Sequence, residues 1–112
     1  MSLREEQSAF AVDMVKFLSW AMSSGYEVAF GEAQRPVEMQ KIYVDTGRSK
    51  TMDSYHIRKL AFDLFFFKDG KLLATKEEMQ PIGNMWESMG AKNSWGGNWD
   101  SFKDIPHFER RS

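Results

Sequence analysis

The sequence contains no cysteine. That absence excludes disulfide bonds, thiolate-bound zinc and a cysteine nucleophile, so any metal must be held by histidine, aspartate or glutamate. Histidine itself is scarce, with only His56 and His107 in 112 residues. An excess of one charge is also lacking: 15 Lys and Arg stand against 16 Asp and Glu, for a formal net charge of −1. No electrostatic footprint therefore argues for nucleic acid or an anionic membrane surface. No run approaches the roughly 18 apolar residues of a membrane span. Met1-Ser2-Leu3-Arg4-Glu5-Glu6 carries acid where a signal peptide has its basic region, and no unbroken apolar core follows. The expectation is cytoplasmic synthesis without a signal peptide, no membrane insertion and no nucleic-acid partner.

What is present suits one modest hydrophobic core, hence a single domain over residues 1–112. Residues 3–24 read as a long amphipathic helix, with Phe10, Met14, Phe17, Leu18 and Ala21 on one stripe and Gly25 suited to the left-handed cap. Val28-Ala29-Phe30 is a short strand and Gly31-Glu32-Ala33-Gln34-Arg35 a loop. Pro36 opens a second helix running through Met39, Gln40 and Tyr43 to a stop near Gly47. Residues 48–53 are polar and loop-like. Residues 60–67 fill with aromatics, as a strand buried on both faces or nearly so does. Asp69-Gly70 is a hairpin turn signal, with residues 71–75 returning. Residues 76–89 form a third helix, broken or started around Pro81. Residues 93–99 read as a Gly/Trp-rich loop, 105–109 as a short final strand, and 110–112 as a frayed end. The pattern is α+β: helices packed around a small, mostly antiparallel sheet.

One stretch stands out, Ser54-Tyr55-His56-Ile57-Arg58-Lys59-Leu60-Ala61-Phe62-Asp63. Asp63 interrupts an otherwise apolar strand, and a buried unpaired carboxylate costs on the order of several kcal/mol. Something positive must meet it. A metal ion would do so, and so would an ordinary hydrogen-bonded histidine; the His-x6-Asp spacing alone does not choose between them. The second histidine lies in Asp104-Ile105-Pro106-His107-Phe108-Glu109. Trp86, Trp95 and Trp99 are core and loop anchors or cleft walls. Arg35, taken alone, reads as one partner in a surface ion pair with Glu32 or Glu38.

Ser54-x-His56-x4-Ala61-x-Asp63 resembles the Ser-x-His-x-x-Gly-x-Ala-x-Asp signature of the D-Ala-D-Ala carboxypeptidase-type zinc peptidases. That group includes D,D-dipeptidases and phage endolysins of the L-alanyl-D-glutamate peptidase type. An acid three residues before a histidine is its second signature, and Asp104 to Glu109 resembles the endolysin wording of it. Trp95-Gly96-Gly97-Asn98-Trp99 resembles the same branch, and Arg35, Gln40, Tyr43 and Gly47 fall in the family's order. Lys59 departs from the pattern by replacing the family glycine, which puts the local loop geometry in question.

The resemblance implies a hedgehog/D-Ala-D-Ala-peptidase-like fold and a zinc metallopeptidase acting on peptidoglycan stem peptides. It implies that His56, Asp63 and His107 bind Zn2+ and that Asp104 is general base and acid. By the same comparison Arg35 binds the substrate carbonyl and oxyanion, and Ser54 contacts substrate or orders the ligand loop. An L-alanyl-D-glutamate endopeptidase leads. A D-alanyl-D-alanine carboxypeptidase or dipeptidase comes second, and a non-catalytic zinc-containing wall-binding module third. Action as a monomer on the cell wall after holin-type release completes the expectation.

Overall fold

The structure, a computed structural model, describes residues 2–31, 60–101 and 103–111. The helix expected over 36–47 and the loop over 48–53 lie outside the described residues. Helix α1 spans Leu3–Ser23. Ser2 opens it with a capping box: its hydroxyl accepts from the Glu5 amide at 3.2 Å while Glu5 reaches back to the Ser2 amide. The helix closes in a Schellman arrangement, with Tyr26 N donating to Ala21 O and Gly25 N to Met22 O. Gly25 takes the required left-handed conformation, φ 91°. Glu6, Phe10, Met14, Phe17 and Ala21 form the buried stripe, and Leu18 packs at its margin.

Strand β1 (Glu27–Phe30) pairs antiparallel with the long central strand β2 (Ala61–Lys68). Asp69 and Gly70 both have positive φ, 52° and 78°, as a two-residue type I′ hairpin needs. The returning strand β3 is only Lys71–Leu72. It stops early because the amides of Ala74 and Thr75 turn to the Glu78 carboxylate, in a second capping box, instead of continuing a ladder. Helix α2 (Lys76–Ser88) starts there, ahead of Pro81, and runs through it unbroken. Pro81 is exposed, so the carbonyl it leaves without an amide partner can meet water.

Residues 93–99, expected as a loop, contain strand β4 (Asn93–Trp95) and a 3-10 turn over Gly96–Asn98. The buried Trp95 indole needs a fixed backbone, and pairing with β5 (His107–Arg110) supplies it. Arg110, expected to fray, is instead a strand residue whose Nε lies 2.6 Å from the buried Glu6 carboxylate.

The sheet order is β1-β2-β5-β4, antiparallel throughout, with β3 also on β2. Both described helices contribute to the core against one face of it, where Phe17, Leu64, Phe66, Met79, Ile82, Trp86, Trp95 and Phe108 are fully buried. The other face of β2 is more open than its sequence suggests, since Phe65 is 38% exposed. No described helix is long and apolar enough to cross a membrane. The α+β architecture is thus the expected one.

Candidate metal centre

The site sits on the sheet face turned away from the core. Asp63 of β2 and His107 of β5 are register partners, so their side chains leave on the same face. Ala61 pairs with Glu109 two residues along, placing Glu109 beside His107 on that face. The intervening Phe62 and Phe108 point the other way, toward the core.

Asp104 arrives on the turn that leads into β5. Each of the turn's carbonyls is taken: Asp104 O accepts from His107 N at 3.0 Å, Ile105 O from the Trp95 indole at 2.7 Å, and Pro106 O from Leu64 N at 2.8 Å. The Asp104 amide in turn donates to Gly96 O at 3.1 Å. Gly96 lies so close that a Cβ there would collide with the Asp104 carbonyl. A turn held at four points keeps the Asp104 carboxylate beside its neighbour's ring.

His107 Nδ1 lies 3.5 Å from Asp63 Oδ1 and 3.8 Å from Asp104 Oδ2. One ligand atom from each of the three residues falls within 4.8 Å of the others. Direct hydrogen bonds to a ring nitrogen would be shorter, about 2.7–3.2 Å. Two donors on one tetrahedral zinc, with bonds of about 2.0–2.2 Å, stand roughly 3.3–3.6 Å apart. The Asp63–His107 separation therefore suits a shared ion. The donor set, imidazole and carboxylate without thiolate, is also one that zinc accepts. Exposure separates the two acids: the Asp63 side chain is 16% exposed and the Asp104 side chain 42%.

The electrostatics of the cluster favour a cation. Burial works against a charged His107 ring, but Asp63, Glu109 and Asp104 together outweigh it and raise its pKa to about 9. The other ring nitrogen, Nε2, lies 2.6 Å from Glu109 Oε1. Trp99 packs against the imidazole at 5.0 Å between ring centroids, with its own Nε1 donating to Ser94 Oγ.

Three of the residues singled out in the sequence, Asp63, Asp104 and His107, thus converge. His56, Arg35, Ser54 and Lys59 lie outside the described residues. Trp86 and Trp95 are core, whereas Trp99 is a wall of the site. Sequence reasoning missed Glu109 as the partner of His107, although its i+2 position on a strand was signal enough for a shared face.

A family model described as D-alanyl-D-alanine carboxypeptidase matches residues 47–110, more than half of the chain, and this span contains the whole described cluster. The chain belongs to that peptidase family. Its members are metallopeptidases, in keeping with the Asp63–Asp104–His107 cluster. Among curated proteins, the L-alanyl-D-glutamate peptidase of Listeria phage A118 is 36% identical over 98 residues, covering 84% of this chain and 34% of that protein. The chain therefore spans about a third of the length of that relative. Among solved structures, the Serratia marcescens L-Ala D-Glu endopeptidase ChiX superposes with a TM-score of 0.71 at 24% identity, covering 96% of this chain and 84% of that one. At that identity the likeness speaks to the fold. The α+β arrangement of sheet and helices is shared with that protein.

Proposed function

We propose that the chain is a single-domain zinc metallopeptidase that hydrolyses peptidoglycan stem peptides at the L-alanyl-D-glutamate bond. The observation that carries this reading is the Asp63–Asp104–His107 cluster on a family scaffold, with a phage L-alanyl-D-glutamate peptidase as a relative. Asp63 and His107 hold the metal together with His56, which the motif supplies. Zinc, when bound, supplies a Lewis acid for the scissile carbonyl and brings the pKa of a bound water toward neutrality.

Asp104 is the general base and acid. Its carboxylate faces the same nitrogen as Asp63 but is more than twice as exposed, as a group that must meet water and substrate has to be. It takes the proton of the attacking water and delivers one to the leaving amine, so protons balance over the cycle. Its backbone bonds to Gly96 and His107 keep it within reach throughout. Arg35 at the oxyanion and Ser54 at the substrate are proposed from the motif. The substrate is met outside the cytoplasm, after holin-type release, by a monomer.

The family description itself keeps a second reading in view, a D,D-carboxypeptidase or dipeptidase. Mass spectrometry of muropeptides after digestion separates the two. New amino-terminal D-glutamate on the stem peptide is expected; released D-alanine or D-alanyl-D-alanine would replace that reading with the second one. Asp104→Asn should keep its zinc and lose about 10²-fold or more in rate. Intact stem peptides with zinc-loaded wild-type protein would leave only a binding module.

A further inference from the structure

We infer that Glu109, steadied by Arg111, is a positioning residue that fixes the tautomer and aim of His107 toward the metal. The inference rests on the proposed role of His107 as ligand and adds a function to a side chain with none assigned.

The geometry begins at Nε2 of His107, 2.6 Å from Glu109 Oε1, with both side chains buried. An ionised carboxylate only accepts, so the hydrogen between them belongs to Nε2. Nδ1 faces Asp63 and Asp104, where the ion would sit, and it is the Nδ1 proton that a bound metal would displace, leaving the one on Nε2 in place. Without an acceptor at Nε2 the ring could exchange tautomers or flip, presenting N–H to the metal position. Metal-bound histidines are commonly oriented in this way by a carboxylate on the far nitrogen.

Glu109 is itself held on several sides. Arg111 Nε lies 2.9 Å from its other oxygen, an ion pair rather than an aligned hydrogen bond. Its backbone carbonyl accepts from the fully buried Trp86 indole at 3.0 Å. Arg111 also lies over the Trp99 ring, 5.7 Å from its centroid, and Trp99 covers the flank of His107. His107 and Glu109 alternate on one side of β5, and Arg111, the first residue past its end, brings the counter-cation to Glu109.

Stability alone does not account for an acid here. The Glu109 side chain is only 4% exposed. Burying ion pairs is often no better for stability than apolar packing, and their attested use is in fixing one arrangement over another. The arrangement Glu109 fixes is that of His107.

The test is zinc affinity of the full chain, measured by competition with a chromophoric chelator, in wild type, Glu109→Gln, Glu109→Met, Arg111→Met and His107→Ala. Glu109→Met should bind zinc about 10–100-fold more weakly. Glu109→Gln keeps an oxygen that accepts from Nε2 and should lose less, and Arg111→Met less again. Long-range 15N spectra of zinc-loaded wild type should place the His107 proton on Nε2. Wild-type zinc affinity in both folded Glu109 variants, with binding lost in His107→Ala, overturns the inference, as does a proton on Nδ1. Should Glu109→Met fail to fold, Glu109→Gln and the tautomer decide. If His107→Ala binds zinc as wild type does, the ligand assignment fails instead.

Discussion

Two carboxylates face the same nitrogen of His107, and their surroundings set them apart. Asp63 sits on a central strand, its backbone carbonyl receiving Gly31 N at 2.7 Å, so its carboxylate is placed by the sheet. Asp104 sits on a turn and reaches solvent. Buried acids elsewhere follow the same rule that the partner defines the role. Glu6 on α1 is buried and meets Lys92 Nζ at 2.8 Å and Arg110 Nε at 2.6 Å. Hydrogen bonds from Lys92 and Arg110 hold its pKa below the ordinary value of 4.5. A lowered carboxylate pKa means that the folded state binds its proton less readily than the unfolded one. The stabilisation is therefore complete above about pH 4.5 and lost as pH falls through the lower, folded value. Glu6→Gln should lower the thermal midpoint at pH 7, and the gap to wild type should narrow as pH falls below 4.5 and through the lower, folded value. A gap that stays constant across that range would show that the charge contributes nothing. The sequence made Asp63, Asp104 and His107 legible because they carry the motif. Glu6 stayed illegible because its partners lie 86 and 104 residues away, a distance no local pattern spans.

At the scale of elements, the Trp-Gly-Gly segment acts as a bracket for the site. The Trp95 indole lies between Gly83 of α2 and Gly97 of the 3-10 turn, where a Cβ on either glycine would strike the ring. Its Nε1 reaches out to the Asp104–His107 turn through Ile105 O. Gly96 touches that turn from the other end of the segment, against the Asp104 backbone. Gly96→Ala should therefore act mainly on the proposed base. Its methyl meets backbone, which cannot rotate away, so the turn must move and the Asp104 carboxylate with it. We expect a cooperatively folded protein, destabilised by about 1–3 kcal/mol, with turnover reduced far more than zinc content. Equal loss of zinc and turnover would show instead that the whole cluster had shifted. Helix α1 and the hairpin turn were legible in advance, the one from its apolar period and the other from Asp69-Gly70. β4 was missed because three residues next to two glycines carry no period. β3 was overextended because the Thr75–Glu78 capping box competes for the amides of residues 74 and 75.

Across the whole molecule, the site joins what the topology brings from far apart in the chain. Strand β2 begins at residue 61 and β5 at residue 107, and they meet as neighbours for only three register pairs. An ion held by Asp63 and His107 would link these two strands across the last of those pairs. Further support comes from beyond the sheet, where Glu6 ties α1 to Arg110 at the end of β5. A ligand that binds only the folded arrangement adds stability by mass action, about 2.7 kcal/mol at a hundredfold excess over Kd. For a domain of this size that corresponds to a rise of roughly 10 °C in thermal midpoint. Zinc should give that rise in wild type, and a chelator should reverse it. Asp104→Asn should retain most of the rise, since its proposed work is on the proton. Asp63→Ala and His107→Ala should lose it, because each removes one side of the link between β2 and β5. A full zinc-dependent rise in His107→Ala would place the ion elsewhere, and with it the chemistry assigned to this face of the sheet.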